Sequence, residues 1–330
     1  MIACSSGPEE RADSYEWMDD FVEVHRLDYE EADQRLKELA QTAPSEARAR
    51  EAQFERARLA LRADHIETAR SRFEAIWEER TDDAPASRAL YELGRIAAEH
   101  DGDEAEARRL LHKTIAETPP WVGAEFALQF LIRQEVGAGR AVQLADDLGA
   151  MAAELEDDRM AAQLYLERGL LLDEELGQPN EALKSYRSAF GRCKECSATD
   201  EAIFQMGKIY TRHQSWQAAI DSFDIIARRT SRSFFVGTYN SHRAADARYE
   251  AGMVEFLFRQ DYDAAARHFK KYVKTFPNHR ETDDAAWHLV QIERLRGSDR
   301  SYRRALERFV EDYPYSSLVD DARQQLADLS

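Results

Sequence analysis

Glycine and proline are scarce, at 14 and 8 among 330 residues, or about 7% together against a usual share of about 12%. Their scarcity excludes collagen-like chains and argues against turn-rich sandwiches and barrels. There are three cysteines, too few for a disulfide scaffold. Nowhere do eighteen uncharged residues run together, so the sequence holds no membrane-spanning helix. Basic residues are outnumbered, 45 against 63, which makes the surface as a whole repulsive to nucleic acid and to anionic lipid headgroups. Gly-x-Ser-x-Gly, a phosphate loop, Gly-x-Gly-x-x-Gly and His-Glu-x-x-His are all missing, so no enzyme motif with a known mechanism is present. No cofactor or metal is implied, because the nine histidines are scattered.

What is present is helix-forming: Ala, Glu, Leu and Arg dominate, with 43% hydrophobic and 33% charged residues. That is too much apolar content for a disordered chain. The charge is uneven, since residues 1–200 carry 25 basic and 44 acidic side chains whereas residues 201–330 carry 20 and 19.

A spacing recurs along the chain. Ala265, Phe269, Tyr272 and Pro277 stand at the same offsets as Tyr302, Leu306, Phe309 and Pro314. Ala32, Leu36, Leu39 and Pro44 repeat it, as do Ala107, Leu111, Thr114 and Pro119. Other copies keep all but the proline, among them Ala69-Phe73-Ile76, Ala182-Tyr186-Ala189 and Ala219-Phe223-Ile226. Upstream of each lies a second helical pattern with a small residue, such as Gly94, Gly169 or Gly207. Each unit is therefore two helices, with close approach at the small residue and bulky side chains filling the space between neighbours. At residues 243–277 Gly252 falls one place early and Met253 takes the expected small position, which predicts looser packing there. Asp101-Gly102-Asp103-Glu104 reads as an interhelical turn with an Asp N-cap rather than a calcium loop, because its sixth and twelfth positions lack Gly and Glu.

These units resemble the tetratricopeptide repeat, a helix-turn-helix of about 34 residues. The resemblance implies an all-α, right-handed α-α superhelix, a solenoid of about eight helix pairs over residues 14–330, after a flexible tether at 1–13 and with a closing helix at 318–330. Residues 231–243, with Phe234, Phe235 and Tyr239, break the period, either as lengthened helices or as an exposed aromatic loop. In this family the first helix of each pair lines a concave groove, which assigns Phe204, Lys208 and Arg212, then Val254, Leu257 and Phe258, then Trp287, Gln291 and Arg294 to its wall. Aromatic anchors beside cations suit a protein or peptide partner of acidic character. The family resemblance extends to envelope lipoproteins of the outer-membrane assembly or Tol-Pal type. Its ground is the pattern Phe276-Pro277-Asn278 with Asp283-Asp284-Ala285-Ala286-Trp287, its echo at 313–323, and Cys4.

Ile2-Ala3-Cys4 resembles the end of a bacterial lipoprotein signal, so lipidation of Cys4 is expected to be the chain's only link to a membrane. A non-enzymatic scaffold anchored in the periplasm at the outer membrane follows as the expected function. The alternatives are the helical portion of a peptidoglycan lytic transglycosylase, against which the chain lacks a Glu-Ser dipeptide, and a cytoplasmic adaptor. Cys193-Lys194-Glu195-Cys196 is half a zinc site, so it reads as a surface turn with two thiols or a small disulfide loop.

Overall fold

The computed structural model describes residues 17–79, 81–229 and 241–329, and among them no strand occurs. Residues 17–23 are helical. There follow α1 (Tyr29–Gln41), α2 (Glu46–Arg62), α3 (Ile66–Glu78), α4 (Ala84–Ile96), α5 (Glu104–Glu117), α6 (Val122–Gly137) and α7 (Ala141–Glu154). The second half holds α8 (Asp158–Leu170), α9 (Pro179–Arg192), α10 (Ser197–Arg212), α11 (Trp216–Ala227), α12 (Ala244–Met253), α13 (Tyr262–Thr275), α14 (Thr282–Leu295), α15 (Asp299–Asp312) and α16 (Val319–Asp328). The chain divides into two compact units, Met1–Leu144 and Ala145–Ser330. Each is all-α, built from helix pairs stacked in series.

Polar caps set where many helices begin. The side chains of Asp28, Ser45, Asp83, Asp103, Asp157, Asp261 and Ser298 each accept a hydrogen bond from the backbone N–H three residues on, satisfying a donor the helix leaves free. The turn at Asp101–Glu104 is the Asp-capped turn its sequence predicts.

The core is segmented. In the first unit Phe54 and Ala57 of α2, Phe73 and Ile76 of α3, and Ala89, Leu93 and Ile96 of α4 form one cluster. In the second unit the same three-helix arrangement joins Ile203, Phe223 and Val254 of α10, α11 and the turn after α12. It recurs as Phe269, Tyr272 and Ile292 of α13 and α14, and as Val290, Leu306, Phe309 and Ala322 of α14 to α16. Each cluster thus takes a pair and the first helix of the next, the nearest-neighbour packing of a helical repeat.

Within a pair, the small residue lies under the bulky one. A Cβ added at Gly169 would stand 2.2 Å from Tyr186, at Gly207 2.5 Å from Phe223 and at Gly252 2.8 Å from Phe269. Gly252 itself, not Met253, therefore holds the close-approach position, and the looser packing expected there does not arise. The reason lies in the helix ends. α4, α8 and α12 each run on into a π-helical turn, at Ala97–Asp101, Leu171–Glu175 and Val254–Arg259, whereas α10 does not. A π turn accommodates one residue more than an α turn, and it moves the glycine one place back relative to the ring it faces.

Candidate functional site

The residues expected along the groove separate into several groups in the second unit. Phe204 and Val254 are buried in the cluster of α10 to α12, and Phe204 carries the Arg243 guanidinium 4.8 Å above its ring. They present no surface to a partner and belong to the core. Their position number within the repeat pointed inward, but the aromatic and branched side chains turn to the apolar interface with α11.

Phe258 is exposed and stacks flat on Trp216, with ring centroids 4.5 Å apart and planes 4° from parallel. Leu257 beside it is half exposed. Trp216 opens α11, and Arg259 donates to Gln217 Oε1 at 2.9 Å. The end of the α10–α11 and α12–α13 pairs therefore shows a small apolar platform edged by polar groups. Trp216 was missed in the groove assignment because it lies in the second helix; a Trp at the first position after a polar turn is the signal that marks it.

The cations differ in how free they are. Arg212 Nη2 bonds both carboxylate oxygens of Asp173 at 2.6 Å, and the Asp173 side chain is only 6% exposed, so this guanidinium neutralises a buried acid. Lys208 is exposed and its charge favours ionisation of Glu250. Burial, with the nearby Asp246, nevertheless holds the Glu250 carboxyl above its usual range. Trp287 is half-buried against Phe309, ring centroids 5.1 Å apart. Gln291 is partly buried. Arg294 is exposed and lines a recess with Tyr302, Gln325 and Asp328, away from the Trp216 platform.

A polar lock joins α10, α12 and the start of α14. Arg243 donates to Glu201 at 2.6 Å and to Asp246 at 2.8 Å. Burial opposes ionisation of Glu201, but the hydrogen bonds from Arg243 and Gln205 win and hold it below its usual range. The Tyr272 hydroxyl donates to Glu281 at 3.0 Å, and His279 Nδ1 lies 2.8 Å from the same carboxylate. Burial and the Glu281 carboxylate drive the Tyr272 phenol far above its usual value, leaving it a neutral donor. Asp246, His279 and Glu281 bring ligand atoms within 4.8 Å of one another, the residues best placed among those described to hold a divalent ion. Arg243 and Arg280 already pair with those carboxylates, so an ion there would have to displace two guanidinium groups.

Cys193 and Cys196 carry free thiols in the link between α9 and α10. Cys196 Sγ lies 3.3 Å from Thr199 Oγ1. Burial and the hydrogen bond with Cys196 push the Cys193 thiol up to about 11, which keeps it protonated and weakly nucleophilic. No described helix is long and apolar enough to cross a membrane. Cys4 and residues 231–240 of the predicted insertion lie outside the described residues.

Comparison with known proteins bears on one helix pair directly. Residues 246–279, which hold most of α12 and all of α13, match the model of the tetratricopeptide repeat. No curated protein matches the chain. Among solved structures it is similar to a signal-transduction ATPase with a tetratricopeptide repeat sensor from Pyrococcus horikoshii, at 14% identity over 99% of this chain and 53% of that one, with a TM-score of 0.46. It is also similar to PilW, a type IV pilus biogenesis factor, at 14% identity over 82% and 97%, TM-score 0.38. A third is YrrB, a tetratricopeptide repeat protein with an unusual peptide-binding site, at 18% identity over 71% and 90%, TM-score 0.31. The chain spans about half the length of the first of these.

Proposed function

We propose that the chain is a non-catalytic scaffold for protein partners, facing the periplasm and held at the outer membrane by a lipid on Cys4, in envelope assembly or maintenance. The observation that carries the scaffold reading is the Trp216–Phe258 platform with Leu257, where a flat-stacked aromatic pair and a neighbouring leucine leave apolar surface in water. Aromatic anchors of this kind dominate binding energy at protein interfaces. Lys208 and Arg294, both exposed, favour a partner with acidic character. Support for the location is the Ile2-Ala3-Cys4 start and the repeated Pro and Asp-Asp-Ala pattern at 276–287 and 313–323.

Two measurements test this. Mass spectrometry of protein from the native host should find Cys4 acylated and the protein in the membrane fraction; a free Cys4 thiol overturns the anchor. Site-specific crosslinking from position 257 in envelope extract should trap a partner that Phe258→Ala releases. Trapping that is indifferent to Phe258→Ala removes the platform from the interface.

A further inference from the structure

A second surface in the same unit has the features of a docking groove, and another part of the chain provides its control. Between α13 and α15, over α14, runs an open groove of about 480 Å3. Val273, Leu289, Ala305 and Phe309 supply its apolar floor. Lys270, Lys274, Arg304 and Arg308 stand along it, all four exposed, and among the described residues none of these cations has an ion pair or hydrogen bond. Of the two lining acids, Glu293 is bound to Arg296 at 2.6 Å, and Asp312 is the last residue of α15.

The repeat spacing identifies the equivalent gap in the first unit, between α3 and α5 over α4. Aligning Ala69-Phe73-Ile76 on Ala265-Phe269-Tyr272, and Ala107-Leu111-Thr114 on Tyr302-Leu306-Phe309, sets Trp77 against Val273 and Leu110 against Ala305. The larger side chains reduce that gap to about 210 Å3. Glu74 and Glu78 stand where the groove has Lys270 and Lys274. The two cations common to both gaps are engaged in the first: Arg109 pairs with Glu106 at 2.6 Å, and the Lys113 ammonium lies 5.1 Å over the Trp77 ring. In the groove Ser301 replaces Glu106 and Val273 replaces Trp77, so Arg304 and Arg308 lose both partners. The same helical frame is thus narrower and charge-balanced in one unit, wider and cationic in the other.

We propose that the α13–α15 groove is a docking site, distinct from the Trp216–Phe258 platform, for a short amphipathic acidic segment of a partner protein. Two or three apolar side chains of the segment enter over Val273, Leu289 and Ala305, and its carboxylates meet Lys270, Lys274, Arg304 and Arg308. The apolar floor favours a peptide over a phosphate backbone or a headgroup layer, which the net charge of −18 also repels. Charged residues flanking the apolar floor set orientation and encounter rate.

The test pans a phage-displayed library of random peptides of about a dozen residues on the full chain. Enriched peptides are then titrated by fluorescence anisotropy against four proteins. These are the wild type, Lys270→Glu/Arg308→Glu, Val273→Trp/Ala305→Leu, which rebuilds the narrower gap, and Phe258→Ala. The proposal expects net-acidic peptides with two or more apolar residues, bound at least about tenfold more weakly by both groove variants and equally well by Phe258→Ala. Circular dichroism confirms folding, and the charge reversals at the two exposed positions decide the case if the filled variant does not fold. No enrichment, neutral or basic peptides, or affinity indifferent to the groove variants overturns it. Loss with Phe258→Ala alone overturns it while leaving the platform reading intact. Groove-dependent sedimentation with phosphatidylglycerol vesicles, or groove-dependent dimerisation in light scattering, overturns it in favour of a membrane surface or a second copy.

Discussion

Every turn between the helices of a pair from α2 onward holds one residue in the left-handed region: Asp64, Gly102, Gly139, Gly177, Gln214, Gln260 and Gly297. Four are glycine, for which that conformation is free of Cβ strain, and three are not. Gln214→Gly should therefore raise stability by about 0.5 kcal/mol, the relief of strain exceeding the added freedom of the unfolded chain, and Gly102→Ala should lower it by about 1 kcal/mol; urea unfolding checks both. Arg212 shows how a partner inside the fold changes the meaning of an exposed cation. Arg212→Glu would set a second carboxylate against Asp173, whose side chain is 6% exposed, and should cost about 1–3 kcal/mol in urea unfolding, so loss of binding in that variant would report misfolding. Glu250 gives a pH signature. Its folded carboxyl lies above the usual range because of burial, so its ionisation weakens the fold at neutral pH, and the penalty fades as pH falls through the raised value toward that of the unfolded chain. Glu250→Gln should raise Tm at pH 7, with an advantage over wild type that vanishes below about pH 4.5.

At the scale of helices, the distance from small residue to bulky partner is 17 positions for Gly94–Leu111, Gly169–Tyr186 and Gly252–Phe269, but 16 for Gly207–Phe223. The three longer spacings are those with a π turn. Deleting Glu99 from the first π turn should give the shorter spacing and cost about 1 kcal/mol or less. Deleting Lys208 from α10, which has no such turn, should rotate the following helix off its partner and cost several times as much; thermal melts of the two deletions decide it. Helix pairs and the Asp cap at 101–104 were legible in the sequence because each rests on contacts a few residues apart. The position of Met253 was misread because a π turn leaves no composition signal. Phe204 and Val254 were misread because a position number within a repeat does not say whether the third helix of a cluster covers it. The open groove was legible only in comparison, as Val273 and Ala305 set against Trp77 and Leu110.

Over the whole molecule, charge and packing are distributed differently. The acidic excess belongs to residues 1–200, while cations without a partner among the described residues gather on α13 and α15. Within each unit packing repeats, each cluster resting on the next helix in line. A chain ending at Phe276 loses Ile292 and Ala285 from the cluster that holds Phe269 and Tyr272, and should melt lower than its shortened length explains and aggregate. An unchanged unfolding transition would contradict the stacking of pairs.

α16 is a single helix that does the work of a pair's first member: Ala322 is buried against Tyr302, Leu306 and Phe309, with Leu326 and Leu329 alongside. It receives the preceding pair as the first helix of a further pair would. A copy of the α14–α15 pair inserted just ahead of α16 therefore finds a matching face on either side, and the array can lengthen from within without exposing apolar surface.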